Sequence, residues 1–395
     1  MKLTRTTAAV MVATGVIFFF FPVFAKYCGW GRQTAAMVRE AERRNIAVLP
    51  SFDFARFRYS NVKRYPKQME RYVADTFPFR QAIISSFNTV QYNILHSRPK
   101  NGIIGKDGWL FYNSADDGST VDDFLGVNHA ADNRILAQIE KLNQKREYFS
   151  GRGIKYYFVI APNKVTVYPE HLPDALGESK GETYKDRFME QYRAYIEKNS
   201  LADFVLDLTP ILENAKKDGT ELYFPQDTHW NWAGRLVAGQ AICGRLRTDF
   251  ADLKPFPNIS MNPQRGRSDL ANTIGIHVSE GEVGYAPFPD ETQWRKIKLY
   301  GDTREISPVD PGRFICRHYV NDGGEALSAL FIGDSFLDLF QPFPEVFLFK
   351  NLWFYSNGKD FASLQKAQQH LQDKNPDLVI EEVVERKICL VQWDE

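Results

Sequence analysis

Two short stretches carry the residue types from which acyl-transfer chemistry is built. The first is Leu330-Phe331-Ile332-Gly333-Asp334-Ser335-Phe336, an apolar run that breaks at a Gly-Asp-Ser turn. A serine at the carboxyl end of a buried strand presents its hydroxyl to a crevice, and the backbone N–H groups of such a turn can stabilise a developing oxyanion. The same pattern also describes an ordinary turn in which Ser335 caps a helix. The second is Phe224-Pro225-Gln226-Asp227-Thr228-His229-Trp230-Asn231-Trp232-Ala233-Gly234. A serine hydroxyl is a poor nucleophile until a base accepts its proton. Imidazole suits that task near neutral pH, and a carboxylate fixes its tautomer. Asp227, His229 and Ser335 therefore form the candidate catalytic group. A loop Asp capping the helix beside a bystander His, or metal ligation by Asp227 and His229, are the competing readings of the second stretch. No His or Cys cluster surrounds the pair, so neither a metal nor a cofactor is expected.

Other residues near these stretches are candidates for holding substrate. Trp230 and Trp232 flank His229 and offer flat surfaces for sugar rings, or wedges between helix and sheet. Asn163 and Lys164 follow the apolar run Tyr156–Pro162. Arg386 ends the run Leu378–Val384, where it can meet substrate or anchor Glu381 or Glu385. His318 has no readable partner and is expected to be structural.

These residues sit in an alternating pattern. Ile135, Leu136, Ile139, Leu142 and Phe149 share one helical face, and Gly151 and Gly153 close that helix. The apolar run Lys155–Pro162 follows, then a helix bearing Tyr184, Phe188, Tyr192, Tyr195 and Ile196, then the strand-like Ala202–Leu208, the Asp227 block and a helix over 232–245. Apolar runs resume around 326–336, 345–355 and 376–386. Alternating helices and fully buried strands predict a parallel sheet covered on both faces. Asn101–Tyr112, with Gly105, Asp107 and Gly108 between apolar segments, predicts a hairpin or loop. Seven prolines break the rhythm over about 250–325, which reads as an insertion or lid-like excursion.

The chain of 395 residues has no net formal charge, 44% hydrophobic and 14% aromatic residues. That composition supports a large core, and it supplies no basic field to attract nucleic acid. Cys28, Cys243, Cys316 and Cys389 lack metal-ligand spacing, and their pairing is not deducible. Lys2 and Arg5 precede an uncharged run from Thr6 to Ala25, about 20 residues or roughly 30 Å of helix, one hydrocarbon core. Residues 1–25 thus read as a signal anchor, or as a signal peptide cut after Ala25. Five basic residues after the run (Lys26, Arg32, Arg39, Arg43, Arg44) oppose export by the positive-inside count, but long domains translocate largely regardless of charge. Residues 26–100 read as a helical stalk and 101–395 as the catalytic domain.

The Gly-Asp-Ser-Phe block resembles the nucleophile block of SGNH-type esterases, and Asp227–Ile242 resembles their terminal block. The order is reversed, as a circular permutation of the doubly wound sheet would give. That order, with Phe77–Arg80, Gly105–Tyr112, Pro162–Pro173 and Pro376–Arg386, resembles the alginate O-acetyltransferase group over roughly residues 70–395. The resemblance implies a three-layer, flavodoxin-like α/β domain with a permuted parallel sheet. It also implies a Ser-His-Asp group that forms an acyl-serine and passes acetyl to an extracytoplasmic polysaccharide. A membrane-bound O-acyltransferase would supply the acyl group, and the site would lie in the periplasm or on the outer face of the inner membrane. The Asn that completes the oxyanion hole in most SGNH enzymes has no counterpart after Leu378–Val384. A deacetylating esterase, a scaffold subunit of a polysaccharide export complex and a metal-dependent hydrolase remain the alternatives.

Overall fold

The computed structural model describes residues 59–79 and 101–391, apart from 115–116, 128–130, 257–259, 266–267, 275–282, 289–296, 306–313, 324–325, 339–344, 357–363 and 372–373, together with a few positions between 21 and 87. Most of the expected anchor, Thr6–Ala25, and most of the expected stalk lie outside the described residues. Among the described residues no helix is long and apolar enough to cross a membrane. The chain divides into two compact units, Met1–Pro99 with Ala271–Val278, and Lys100–Leu270 with Ser279–Glu395. In the first, α1 spans Tyr59–Asp75. The second carries all the chemistry considered below.

That second unit opens with the expected hairpin. β1 (Gly102–Ile104) pairs antiparallel with β2 (Leu110–Tyr112), and Asp107 and Gly108 take the left-handed conformation that reverses the chain between them. Then come α2 (Asp132–Ser150), β3 (Lys155–Ala161), α3 (Tyr184–Lys198), β4 (Val205–Asp207), α4 (Thr209–Lys217) and α5 (Trp232–Leu246). A two-stranded ribbon follows, β5 (Ser260–Arg265) with β6 (Val283–Phe288). The chain closes with β7 (Ile297–Glu305), β8 (Phe314–Asn321), β9 (Ser328–Gly333), β10 (Asn351–Ser356), α6 (Leu364–Leu371) and β11 (Leu378–Val384).

Seven strands form the main sheet in the order β4-β3-β11-β9-β10-β8-β7. The five from β4 to β10 are parallel. Counting from β9, through β10 and β11 and then to β3 and β4, gives the order 2-1-3-4-5 of a flavodoxin-like sheet. The permuted reading therefore describes the topology, and the α/β class is as expected. The sheet is not wholly parallel, however. β8 pairs antiparallel with β10, and β7 with β8. Ile297–Glu305 and Phe314–Asn321 of the supposed excursion thus extend the sheet, because their strand-forming residues were hidden among turn-forming ones.

Burial on both faces explains the unbroken apolar runs. Every residue of β9 is buried, as is every residue of β11. On one side Phe158, Ile160, Leu330 and Val379 pack under Ile135, Ile139 and Phe149 of α2 and Phe188 and Tyr192 of α3. On the other, Tyr157, Val159, Phe331 and Ile380 pack under Leu212 of α4 and Ala238, Ile242 and Leu246 of α5. Two charges inside this core are paired. Lys145 on α2 donates to Glu381 of β11 at 3.0 and 2.8 Å, and Tyr156 donates to the same carboxylate at 2.6 Å. Arg235 on α5 meets Glu345 in a two-pronged bridge of 2.6 and 2.5 Å, both side chains fully buried. Cys28, Cys243 and Cys389 are free thiols.

Candidate active site

The sheet dictates where the crevice lies. From β9 the chain moves to β10 on one side, then crosses back to β11 on the other, so the carboxyl end of β9 is a topological switch point. The turn after Gly333 is built by Asp334. Its Oδ1 accepts the Phe336 N–H at 2.9 Å, and its Oδ2 accepts the Val384 N–H at 3.0 Å, tying the turn to the end of β11. Beneath it, Glu382 Oε2 accepts the Asp334 N–H at 3.2 Å. Burial first, and then the neighbouring Asp334 charge, drive the Glu382 carboxyl well above its ordinary range. Gly333 leaves no room for a side chain: a Cβ there would meet Leu337 Cδ2 at 2.7 Å and Glu382 Oε2 at 2.9 Å. Ser335 itself is exposed.

The Asp227–His229 loop follows α4 and not, as the sequence suggested, a strand end. It is folded back by a bridge between Tyr223 and Trp230. Asn231 caps α5 by accepting the Gly234 N–H at 3.0 Å and anchors the loop by donating to the Glu221 carbonyl at 2.6 Å. Lys164 closes the loop from below, its ammonium donating to the carbonyls of Phe224, Pro225 and Asp227 at 3.0, 2.8 and 2.7 Å.

These two constructions bring Asp227, His229 and Ser335 together, 106 residues apart in sequence for the His–Ser contact. His229 Nε2 lies 2.9 Å from Ser335 Oγ. His229 Nδ1 lies 2.7 Å from Asp227 Oδ1, which also accepts the His229 backbone N–H at 3.0 Å. Asp227 is fully buried and His229 only 5% exposed. Burial disfavours the imidazolium, but hydrogen bonds and charge from Asp227 and Asp269 outweigh it and raise His229 from 6.5 to about 9. Asp269 was not foreseen from sequence. Its Oδ2 lies 3.4 Å from His229 Nδ1, and nothing in its local sequence distinguishes it from a residue that merely opens a short helix.

The expected substrate-facing residues divide. Trp230 is 1% exposed, donates from Nε1 to the Phe336 carbonyl at 2.9 Å and packs edge-on against the Phe336 ring. It is a strut between the two blocks and offers no face to a sugar. Trp232 is half-buried against the core. Lys164, at 5% exposure, spends its ammonium on three carbonyls and is likewise no substrate ligand. Asn163 and Arg386, with Thr228, line a recess of about 10 Å³, far below the ~300 Å³ at which small-molecule pockets begin. Arg386 anchors neither Glu381 nor Glu385; it pairs with Asp117 at 3.1 Å and reaches Asn163 Oδ1 at 3.4 Å. Glu385 instead accepts the Asn163 N–H and the Thr166 hydroxyl at 2.8 and 2.6 Å. His318 lies on β8, stacked on Trp353 and 3.1 Å from Asn351 Oδ1.

His229 Nδ1 and one oxygen each from Asp227 and Asp269 lie within 4.8 Å of one another, the spacing of a small cation site. The hydrogen bonding speaks for a proton at the centre of this group. Asp227 meets Nδ1 at hydrogen-bond length while its two oxygens also accept the N–H groups of His229 and Asp269.

A family model for the SGNH hydrolase-like domain of the acetyltransferase AlgX matches residues 103–303, just over half of the chain. The match includes Asp227, His229 and Asp269 and stops before Ser335. A probable alginate O-acetylase AlgJ from Pseudomonas syringae pv. tomato is 26% identical over 238 residues, 59% of this chain and 56% of that protein. The chain thus spans about half the length of the curated relatives it matches. Among solved structures, Bacillus cereus PatB1 is 18% identical with a TM-score of 0.48, over 73% of this chain and 97% of that one. The O-acetyltransferase domain of Pseudomonas putida AlgJ is 17% identical with a TM-score of 0.44, over 75% and 94%. These last two likenesses carry no functional argument.

Proposed function

The chain belongs to the family of SGNH hydrolase-like acetyltransferase domains typified by AlgX, and from that premise we propose that it is a serine-dependent O-acetyltransferase acting on a polysaccharide outside the cytoplasm. The observation that carries the proposal is the relay Ser335 Oγ, His229 Nε2, His229 Nδ1, Asp227 Oδ1, with steps of 2.9 and 2.7 Å.

In the first half-reaction His229, as free imidazole, takes the Ser335 proton while Oγ attacks the carbonyl carbon of an acetyl ester. Asp227 stabilises the imidazolium that forms. The tetrahedral intermediate collapses, the donor's alkoxide leaves with the proton from Nε2, and acetyl-serine remains. In the second half-reaction a sugar hydroxyl gives its proton to Nε2 and attacks the acetyl-serine, releasing Ser335 as its oxygen regains that proton. The Ser335 N–H is the proposed oxyanion donor, since it opens a helical turn whose first N–H groups have no intrahelical acceptor. The Phe336 N–H is committed to Asp334.

The names of the relatives suggest alginate-like acceptors, and the family's usual arrangement puts the acyl donor on a membrane-bound O-acyltransferase. Both belong to the proposal, as do the periplasmic location and the N-terminal tether. The exposure of Ser335 favours a second activity, hydrolysis, because water reaches the acyl-enzyme as readily as a sugar does. Treatment with a sulfonyl fluoride followed by peptide mass spectrometry tests the nucleophile: the adduct is expected on Ser335 and absent in His229→Ala. Nitrophenyl acetate turnover with and without an oligouronide acceptor then separates transfer from hydrolysis. An adduct elsewhere, or Ser335→Ala turning over at the wild-type rate, refutes the serine mechanism.

A further inference from the structure

A second carboxylate reaches His229 from the proline-rich stretch after α5. Asp269 opens the helix Asp269–Ile274. Its Oδ1 accepts the Thr228 N–H at 2.8 Å and sits 3.4 Å from the Thr228 hydroxyl. Its Oδ2 lies 3.4 Å from His229 Nδ1. Its own backbone N–H donates to Asp227 Oδ2 at 3.3 Å. The residue is therefore joined to all three members of the Asp227-Thr228-His229 segment at once.

We propose that Asp269 is a positioning residue for His229, closing with Asp227 a two-carboxylate clamp on Nδ1. The proposal deepens the serine mechanism and rests on it for its catalytic meaning. Geometry gives the two carboxylates different tasks. Asp227, at 2.7 Å, accepts the hydrogen bond from Nδ1–H and sets the tautomer. Asp269, at 3.4 Å, is too long for a strong second bond but holds a second negative charge beside the ring and fixes the loop through Thr228. Among the described residues the nearest other charges are Lys164, on the Asp227 carbonyl, and Arg386, 5.8 Å from the Phe336 ring that contacts His229. Both are cations, so the two carboxylates are what favours the imidazolium here.

The test uses the full chain in detergent with ¹³C-labelled histidine and compares wild type with Asp269→Asn and Asp269→Glu. Asn keeps an oxygen for the Thr228 N–H and loses the charge; Glu keeps the charge. In Asp269→Asn the NMR titration midpoint of His229 is expected to fall by about one pH unit, a tenfold loss of basicity. The rising limb of kcat/KM for nitrophenyl acetate is expected to move down with it at unchanged KM. Asp269→Glu is expected to stay within a few tenths of a unit of wild type. An unmoved midpoint in Asp269→Asn overturns the clamp and leaves Asp269 as a loop tie only. Zinc chloride that abolishes the His229 titration in wild type but not in Asp269→Asn also overturns it, because Nδ1 would then be a metal ligand. Since the NMR midpoint needs no turnover, it judges the clamp even if sulfonyl labelling were to refute the role of Ser335.

Discussion

Replacing Asp227 by Asn probes the relay at its most enclosed point. The carboxylate accepts hydrogen bonds from His229 Nδ1 and N–H at 2.7 and 3.0 Å on one oxygen and from the Asp269 N–H at 3.3 Å on the other. With one of these donors at each oxygen, the amide nitrogen of an Asn must face a donor whichever way it is turned. If it faces the Asp269 N–H, the longest of the three bonds is lost and His229 keeps its tautomer but loses a charge. If it faces Nδ1, that nitrogen must give up its proton, and Nε2 then points an N–H at Ser335 and cannot act as a base. His229 rests at about 9 against an ordinary 6.5, a net gain of about 3 kcal/mol that Asp227 and Asp269 supply together after overcoming burial, so loss of the charge alone is on the order of a few hundredfold. A wrong tautomer costs on the order of 10⁴ in kcat. Nitrophenyl acetate hydrolysis at pH 6–10, with the sulfonylation rate of Ser335 alongside, reads the difference. We expect a loss near 10⁴ that does not recover at high pH. A loss of a few hundredfold would mean that the amide had turned toward Asp269. A loss below tenfold would refute the assignment of Asp227 as the group that orients His229.

The raised His229 also couples stability to pH. Its folded value lies above its unfolded one, so the stabilisation is complete below about pH 6.5 and disappears as pH rises through about 9. Urea unfolding of wild type is expected to lose on the order of 3 kcal/mol more than His229→Gln across that window, and parallel curves for the two would contradict it. Glu385, pushed up to about 7 by burial, acts at lower pH, between roughly 4.5 and 7, and its effect cancels in the comparison. Glu345→Gln leaves Arg235 charged in a fully buried site and is expected to cost about 3–5 kcal/mol in denaturant unfolding; a change within error would show that the bridge carries no such load. Gly333→Ala forces a methyl into Leu337 and Glu382, for an expected loss of about 1–3 kcal/mol and slower sulfonylation of Ser335. Unchanged labelling would show that the turn yields freely.

Some of this molecule is legible one residue at a time. Buried strands announce themselves as unbroken apolar runs because a strand covered on both faces has no side to leave polar. Residues 156–161 and 329–333 are of that kind, 378–384 is broken only by Glu381 and Glu382, and the Gly-Asp-Ser and Asp-x-His blocks stand out because few other arrangements of those types exist at strand and helix ends. The reversed order of the two blocks already implied the permuted sheet. What sequence could not give was decided by who meets whom across the fold. Lys164 and Trp230 have the chemistry of ligands, and only the carbonyls and the Phe336 backbone that they meet reveal them as supports. β8 belongs to the sheet by pairing with β10, a partner some 30 residues or more away, and β7 by pairing with β8, and those hydrogen bonds leave no trace in the local composition. Asp269 comes to His229 across 39 intervening residues, and a lone aspartate before a short helix carries no mark of its destination. Residue types fix which reactions are available. The distances and desolvation that make one of them usable arise only when the chain has brought its distant segments together.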